Sequence, residues 1–197
     1  MGCRLMQNRK VIAAIAFVAI SVLSDANAND VSSVQHREEA SHQVAAQTAN
    51  SLFDEVIAWI SANFDLPAKS DPPQIRFATQ TEMMRIRIAD RMRWHGFFQE
   101  EPAAENERNV VAIYDTSSRT IYLPENWRGE SPADQSILVH EMVHHLQNLA
   151  GVKFECPAAR EKTAYLAQDK WLARFGKSLE NDFDVDMFTV VTSSACM

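Results

Sequence analysis

SPADQSILVHEMVHHLQNLAG, residues 131–151, is the stretch on which the fold turns. Ser131 stands directly before Pro132 and three residues before Asp134, which is the pattern of an N-cap, a first-turn proline and an acidic capping partner. Gly151 supplies the left-handed stop at the other end. Between these signals Ile137, Leu138, Val139, Met142, Val143 and Leu146 leave no charge around the two central histidines except Glu141. A helix so apolar on every side is expected to run through the centre of a domain.

Within that helix His140-Glu141-Met142-Val143-His144 has the H-E-x-x-H arrangement. The two histidines fall one turn apart, about 40° from each other around the axis, so both imidazoles reach one cation. Glu141 sits about 100° round from His140, close enough to act on a water held by that cation but badly placed to be a ligand. A buried carboxylate beside two imidazoles is costly without a partner, and a metal with its water supplies one. Zinc is the expected ion, with Glu141 as general base.

A catalytic zinc takes a third protein ligand and keeps one open position. The downstream candidates are Glu155, Glu161, Asp169, Glu180 and the acids of the tail. Glu155, in the short connection after Gly151, is free to point to water. Glu161 is better placed, one turn into a helix opened by Pro157, and Ala164 three residues on is small enough to let two helices approach. The ligand reading is preferred over the alternative that Glu161 is a first-turn carboxylate favoured by the helix dipole alone.

His140-Glu141-x-x-His144 followed by Glu161-Lys162-Thr163-Ala164 resembles the gluzincin branch of the zincin metallopeptidases. Where the metzincin branch carries glycine and histidine, this chain has Gln147 and Ala150. The resemblance covers roughly residues 120–175. It implies zinc bound by His140, His144 and Glu161, with Glu141 activating water for amide hydrolysis of a peptide or protein substrate. It also implies that Thr120 to Leu123 is an edge strand on which an extended substrate lies antiparallel. Tyr165, one turn beyond Glu161, is either an oxyanion donor or a core residue. His145 is a similar candidate, for the oxyanion or for support of a ligand, or else an exposed histidine; Asp169 is a candidate to hold a ligand imidazole.

Working outward, Arg4, Arg9 and Lys10 precede an apolar run from Val11 to Leu23 and then Ala26-Asn27-Ala28. This is the form of a secretory signal peptide over residues 1–28, too short in its apolar part for a membrane span. Its removal takes away three basic residues and Asp25, moving the net charge from −7 to −9 over the remaining 169 residues. Such a surface is a poor partner for nucleic acid, and no membrane association is expected after processing. Losing Cys3 leaves Cys156 and Cys196, an even pair in an oxidising compartment, so a disulfide is expected in an exported, periplasmic or secreted protein.

Residues 29–50 are polar, a flexible leader or exposed helix start, and residues 51–66 continue as an amphipathic helix through Leu52, Phe53, Val56, Ile57, Ile60 and Phe64. From residue 67 to 197 one zincin-like domain is expected. It contains a strand at Gln74–Thr79, a helix at Thr81–Arg93 and an acidic surface loop at Gln99–Arg108. A hairpin of Asn109–Tyr114 with Thr120–Leu123 precedes the metal helix; helices over Pro157–Phe175 and Leu179–Val191 follow it. The fold class is α+β, with a central metal-binding helix, a small antiparallel sheet and packing helices. Two other functions fit the residues: a catalytically inactive zincin-like protein that binds or inhibits a partner, and a structural metal site closed by a fourth protein ligand, for which Cys156 is the suspect.

Overall fold

The computed structural model describes residues 25–68, 71–95 and 110–196. The expected signal peptide therefore falls largely outside the described residues, and so does the expected acidic loop at Gln99–Arg108. The chain divides into two compact units, residues 1–38 and 39–197. In the first, the described backbone from Asp25 is helical, and the side chains of residues 33–38 are exposed. Helix α1 spans Asp25–Asn63, so the polar leader is the start of a helix. In the second unit α1 turns apolar, and Ala45, Ala49, Phe53, Val56, Ile57 and Ile60 enter the core. Burial of that stripe, rather than intrinsic propensity, gives a helix of this kind most of its stability.

Three strands follow in the second unit: β1 (Gln74–Ala78), β2 (Ile113–Asp115) and β3 (Thr120–Pro124). Helix α2 (Gln80–His95) lies between β1 and β2 in sequence, and Thr79 caps it by exchanging hydrogen bonds with Glu82. The sheet order is β1-β3-β2. β2 and β3 form the expected hairpin, with Tyr114 opposite Ile121, but β1 joins β3 in parallel register, Gln74 opposite Thr120 and Phe77 opposite Leu123. The sheet is therefore mixed, not antiparallel. Thr120 to Leu123 is also not an edge: it lies in the central strand, and the edges are β1 and β2. The reason is strand pairing: β3 bonds to β1 in parallel on one side and to β2 in antiparallel on the other, so neither of its sides is open.

Helix α3 (Pro132–Ala150) follows as expected. Ser131 Oγ accepts a hydrogen bond from Asp134 N–H, and Gly151, at φ 65°, returns its N–H to the last turn. Every residue from Ser136 to Gln147 is buried, so α3 is the centre of the domain. Pro157 opens not an α-helix but a single 3-10 turn, Pro157–Arg160, after which α4 runs Glu161–Ala173. Ala164 and Ala167 of α4 are fully buried, and their small side chains let α4 pack closely on α3. The expected final helix is two helices, α5 (Leu179–Phe183) and α6 (Met187–Ser193). Asp184 turns left-handed at φ 56° and Asp186 caps α6 through Thr189 N–H, so local side-chain bonding broke a continuous helical period. A disulfide joins Cys156 to Cys196 with the Cα atoms 5.8 Å apart. Among the described residues no helix is long and apolar enough to cross a membrane.

Candidate metal centre

Because α3 is capped and buried as it is, His140 and His144 project from one of its faces toward the first turn of α4. Glu161 is the first residue of α4 and meets them there. Its Oε2 lies 3.3 Å from His140 Nε2 and 3.1 Å from His144 Nε2. The three ligand atoms lie within 4.8 Å of one another, and the imidazoles stand edge to face with centroids 5.0 Å apart. A tetrahedral ion with bonds of about 2.0–2.1 Å separates its ligands by about 3.3 Å, so the donor set fits a small divalent cation. The three side chains form a possible metal-binding triad.

The remaining ring nitrogens are held from behind. His140 Nδ1 lies 3.0 Å from Gln168 Oε1, and Gln168 Nε2 donates to Ser136 Oγ, which donates to Ala133 O. His144 Nδ1 lies 3.1 Å from Gln147 Oε1, and Gln147 Nε2 donates to Arg160 O. Flipping Gln147 would set its oxygen against a carbonyl, so the amide orientation follows from the network. Each Nδ1 therefore carries a proton donated to an amide oxygen, and each Nε2 faces Glu161. What satisfies two Nε2 atoms and one carboxylate oxygen together is positive charge, either two protons or one metal ion.

Electrostatics agree with that reading of the metal-free cluster. Burial opposes charge on His140, yet the Glu161 hydrogen bond and the charges of Glu141 and Glu161 outweigh it and raise its pKa. Burial likewise pushes Glu161 up, but the adjacent His144 and His140 pull it well below the usual carboxylate range. Glu141 is 6% exposed and near enough to His140 for its charge to be felt there.

The structure brings His140, His144 and Glu161 together, with Glu141 buried next to His140 on α3, and it sets the Tyr165 ring edge to face on His140 at 4.7 Å. Tyr165 is half-buried and also borders the cluster of Leu172, Leu179 and Val190. His145 does not join them and is not exposed. It is fully buried and lies 3.2 Å from Tyr114 Oη through Nδ1, while Nε2 donates to Asp71 O, which ties α3 to the sheet and to the segment before β1. Asp169 holds no imidazole; it accepts from Leu179 N–H at the start of α5. Glu155 is exposed. Sequence reasoning missed Gln147, Gln168 and Arg160. Gln147 lies three residues after His144 and Gln168 seven after Glu161, spacings that keep each on the face of its ligand, and that signal could have found them.

Fold and site together define a class: an α+β domain whose buried central helix and following helix offer a His-His-Glu cluster to a metal ion. Residues 45–197 match the model of the family described as a domain of unknown function, DUF6647, and the chain belongs to that family. No curated protein and no solved structure matches the chain. The matched region begins at Ala45, the first residue of α1 in the core.

Proposed function

We propose that this protein is an exported zinc-dependent hydrolase of the gluzincin type, with peptide or protein amide bonds as its substrate class. The observation that carries the reading is the convergence of His140 Nε2, His144 Nε2 and Glu161 Oε2 at separations suited to tetrahedral zinc. Zinc held there supplies a Lewis acid for the scissile carbonyl and makes water acidic near neutral pH. Glu141, next to His140 on the same helix, takes the proton from the attacking water and returns it to the leaving amine. Gln147 and Gln168 hold the imidazoles in the tautomer that leaves Nε2 free. Tyr165, packed on His140, is the candidate hydrogen-bond donor to the developing oxyanion. The Cys156–Cys196 disulfide supports export, and it removes Cys156 as a fourth ligand, which weighs against a structural metal site.

The test uses Glu141→Gln, which keeps size and shape but cannot accept a proton. Zinc content and fold should be unchanged, while cleavage of a diverse peptide library by the wild type falls ~10²- to 10⁴-fold in the variant. Equal cleavage by both proteins would remove Glu141 as the base. Equal inertness of both at full zinc loading would favour the inactive, partner-binding alternative. A wild type that binds no zinc would refute the metal centre itself.

A further inference from the structure

The two oxygens of Glu161 are used differently. Oε2 faces both imidazoles, whereas Oε1 accepts a hydrogen bond from Arg160 Nε at 3.1 Å. The Arg160 side chain is 13% exposed, and its Nη1 lies 3.8 Å from Asp90 Oδ2 on α2. Asp90 Oδ1 in turn lies 3.2 Å from Arg93 Nη2, which reaches Asp115 Oδ1 at 2.7 Å beside the hairpin turn. A line of alternating charges thus runs from the carboxylate at the centre, through α2, to the sheet. Resting on the metal-centre reading above, we propose that Arg160, held by Asp90, is a positioning residue that reserves Glu161 Oε2 for the metal and keeps Glu161 a one-oxygen ligand.

A carboxylate can meet a cation with one oxygen or with both. Here the second oxygen is occupied by a guanidinium, which cannot be deprotonated and whose planar fork suits a carboxylate. Swinging Oε1 to the metal would break a charge-assisted hydrogen bond in a half-buried setting and leave Arg160 facing Asp90 alone. The imidazoles are backed by neutral amides rather than carboxylates, so the one anionic ligand is also the one shared with a cation. Less negative charge then reaches the ion, and a coordination position stays open for water and substrate.

The experiment replaces zinc with Co²⁺, whose visible absorption falls several-fold when four-coordinate sites become five-coordinate, and measures Zn–O shells by X-ray absorption. Arg160→Gln should weaken the visible bands and add a second, longer carboxylate oxygen to the zinc shell. Arg160→Lys, which keeps a charge near Oε1, should recover most of the wild-type spectrum. Asp90→Asn, which leaves α4 untouched, should move the spectrum in the same direction by a smaller amount. A folded Arg160→Gln whose bands and zinc shell superpose on the wild type overturns the proposal; if that variant does not fold, Asp90→Asn decides by the same criterion. Wild type that binds neither ion overturns the metal centre and this proposal together, whereas a metal-loaded wild type with unchanged variants overturns this proposal alone.

Discussion

Replacing both cysteines by alanine tests how the C-terminal tail is held. The disulfide closes a loop of sequence separation 40. The chain-entropy relation for a loop of that length gives about 13 cal/mol/K, or about 4 kcal/mol at 25 °C, by which the bridge restricts the unfolded chain. The folded tail has its own anchors: Val190 of α6 is fully buried against Leu172 and Leu179, and α6 keeps its Asp186 cap without the sulfur atoms. The cost should therefore fall on the unfolded state, leaving the folded site and its zinc affinity as they were. At about 2–4 °C per kcal/mol for a domain of this size, Tm should fall by about 8–16 °C. The assay is urea unfolding of the oxidised wild type and Cys156→Ala/Cys196→Ala, both with a strong chelator, because bound zinc would add its own mass-action stabilisation. A loss under about 1 kcal/mol would refute the loop-closure reasoning. A folded variant that cannot take up zinc would show instead that the bridge shapes the turn leading to Glu161.

Gln147→Leu and Gln168→Leu should each weaken zinc about 10- to 100-fold in a chelator competition, because each frees an imidazole to rotate and change tautomer; a change under twofold in both would deny the amides that role. His145 yields a pH prediction. Burial is the main cause of its lowered pKa, with the Arg119 charge adding to it, so the folded protein resists protonation while the unfolded chain accepts a proton near pH 6.5. Stability should thus fall as pH drops below about 6.5, until the lower folded pKa is reached, and His145→Gln should flatten that part of the curve; equal slopes for the two proteins would exclude His145 as the source.

Much of the candidate site is legible in one local stretch of chain. The caps at Ser131 and Gly151, the apolar surround and the spacing of His140, Glu141 and His144 all act within a helix, whose 3.6-residue period is set by backbone geometry alone. Glu161 was reachable too, because a short link and a small Ala164 limit where the next helix can lie. The glutamines behind the imidazoles and the Arg160–Asp90 pair were harder. Gln and Arg occur on any helix surface; Gln147 and Arg160 are local neighbours of His144 and Glu161, but only the packing of α4 on α3 brings Gln168 to His140, and only α2 brings Asp90 to Arg160.

Strand order shows the same division. The alternation and turn residues of residues 113–124 announce a hairpin, but nothing local says which side a third strand joins. Gln74 to Ala78 pairs in parallel with β3 through a connection containing α2, so the strand taken for an edge lies in the middle of the sheet. His145 is the sharpest case. It stands beside the candidate ligand His144 in sequence, yet one residue along a helix is about 100° around it, and that rotation sends its ring toward Tyr114 and Asp71. Helical period and caps, which are short-range, were determined by the sequence itself. Strand neighbours and the partners of each buried polar atom depend on contacts between residues tens of positions apart, and only the tertiary structure decided them.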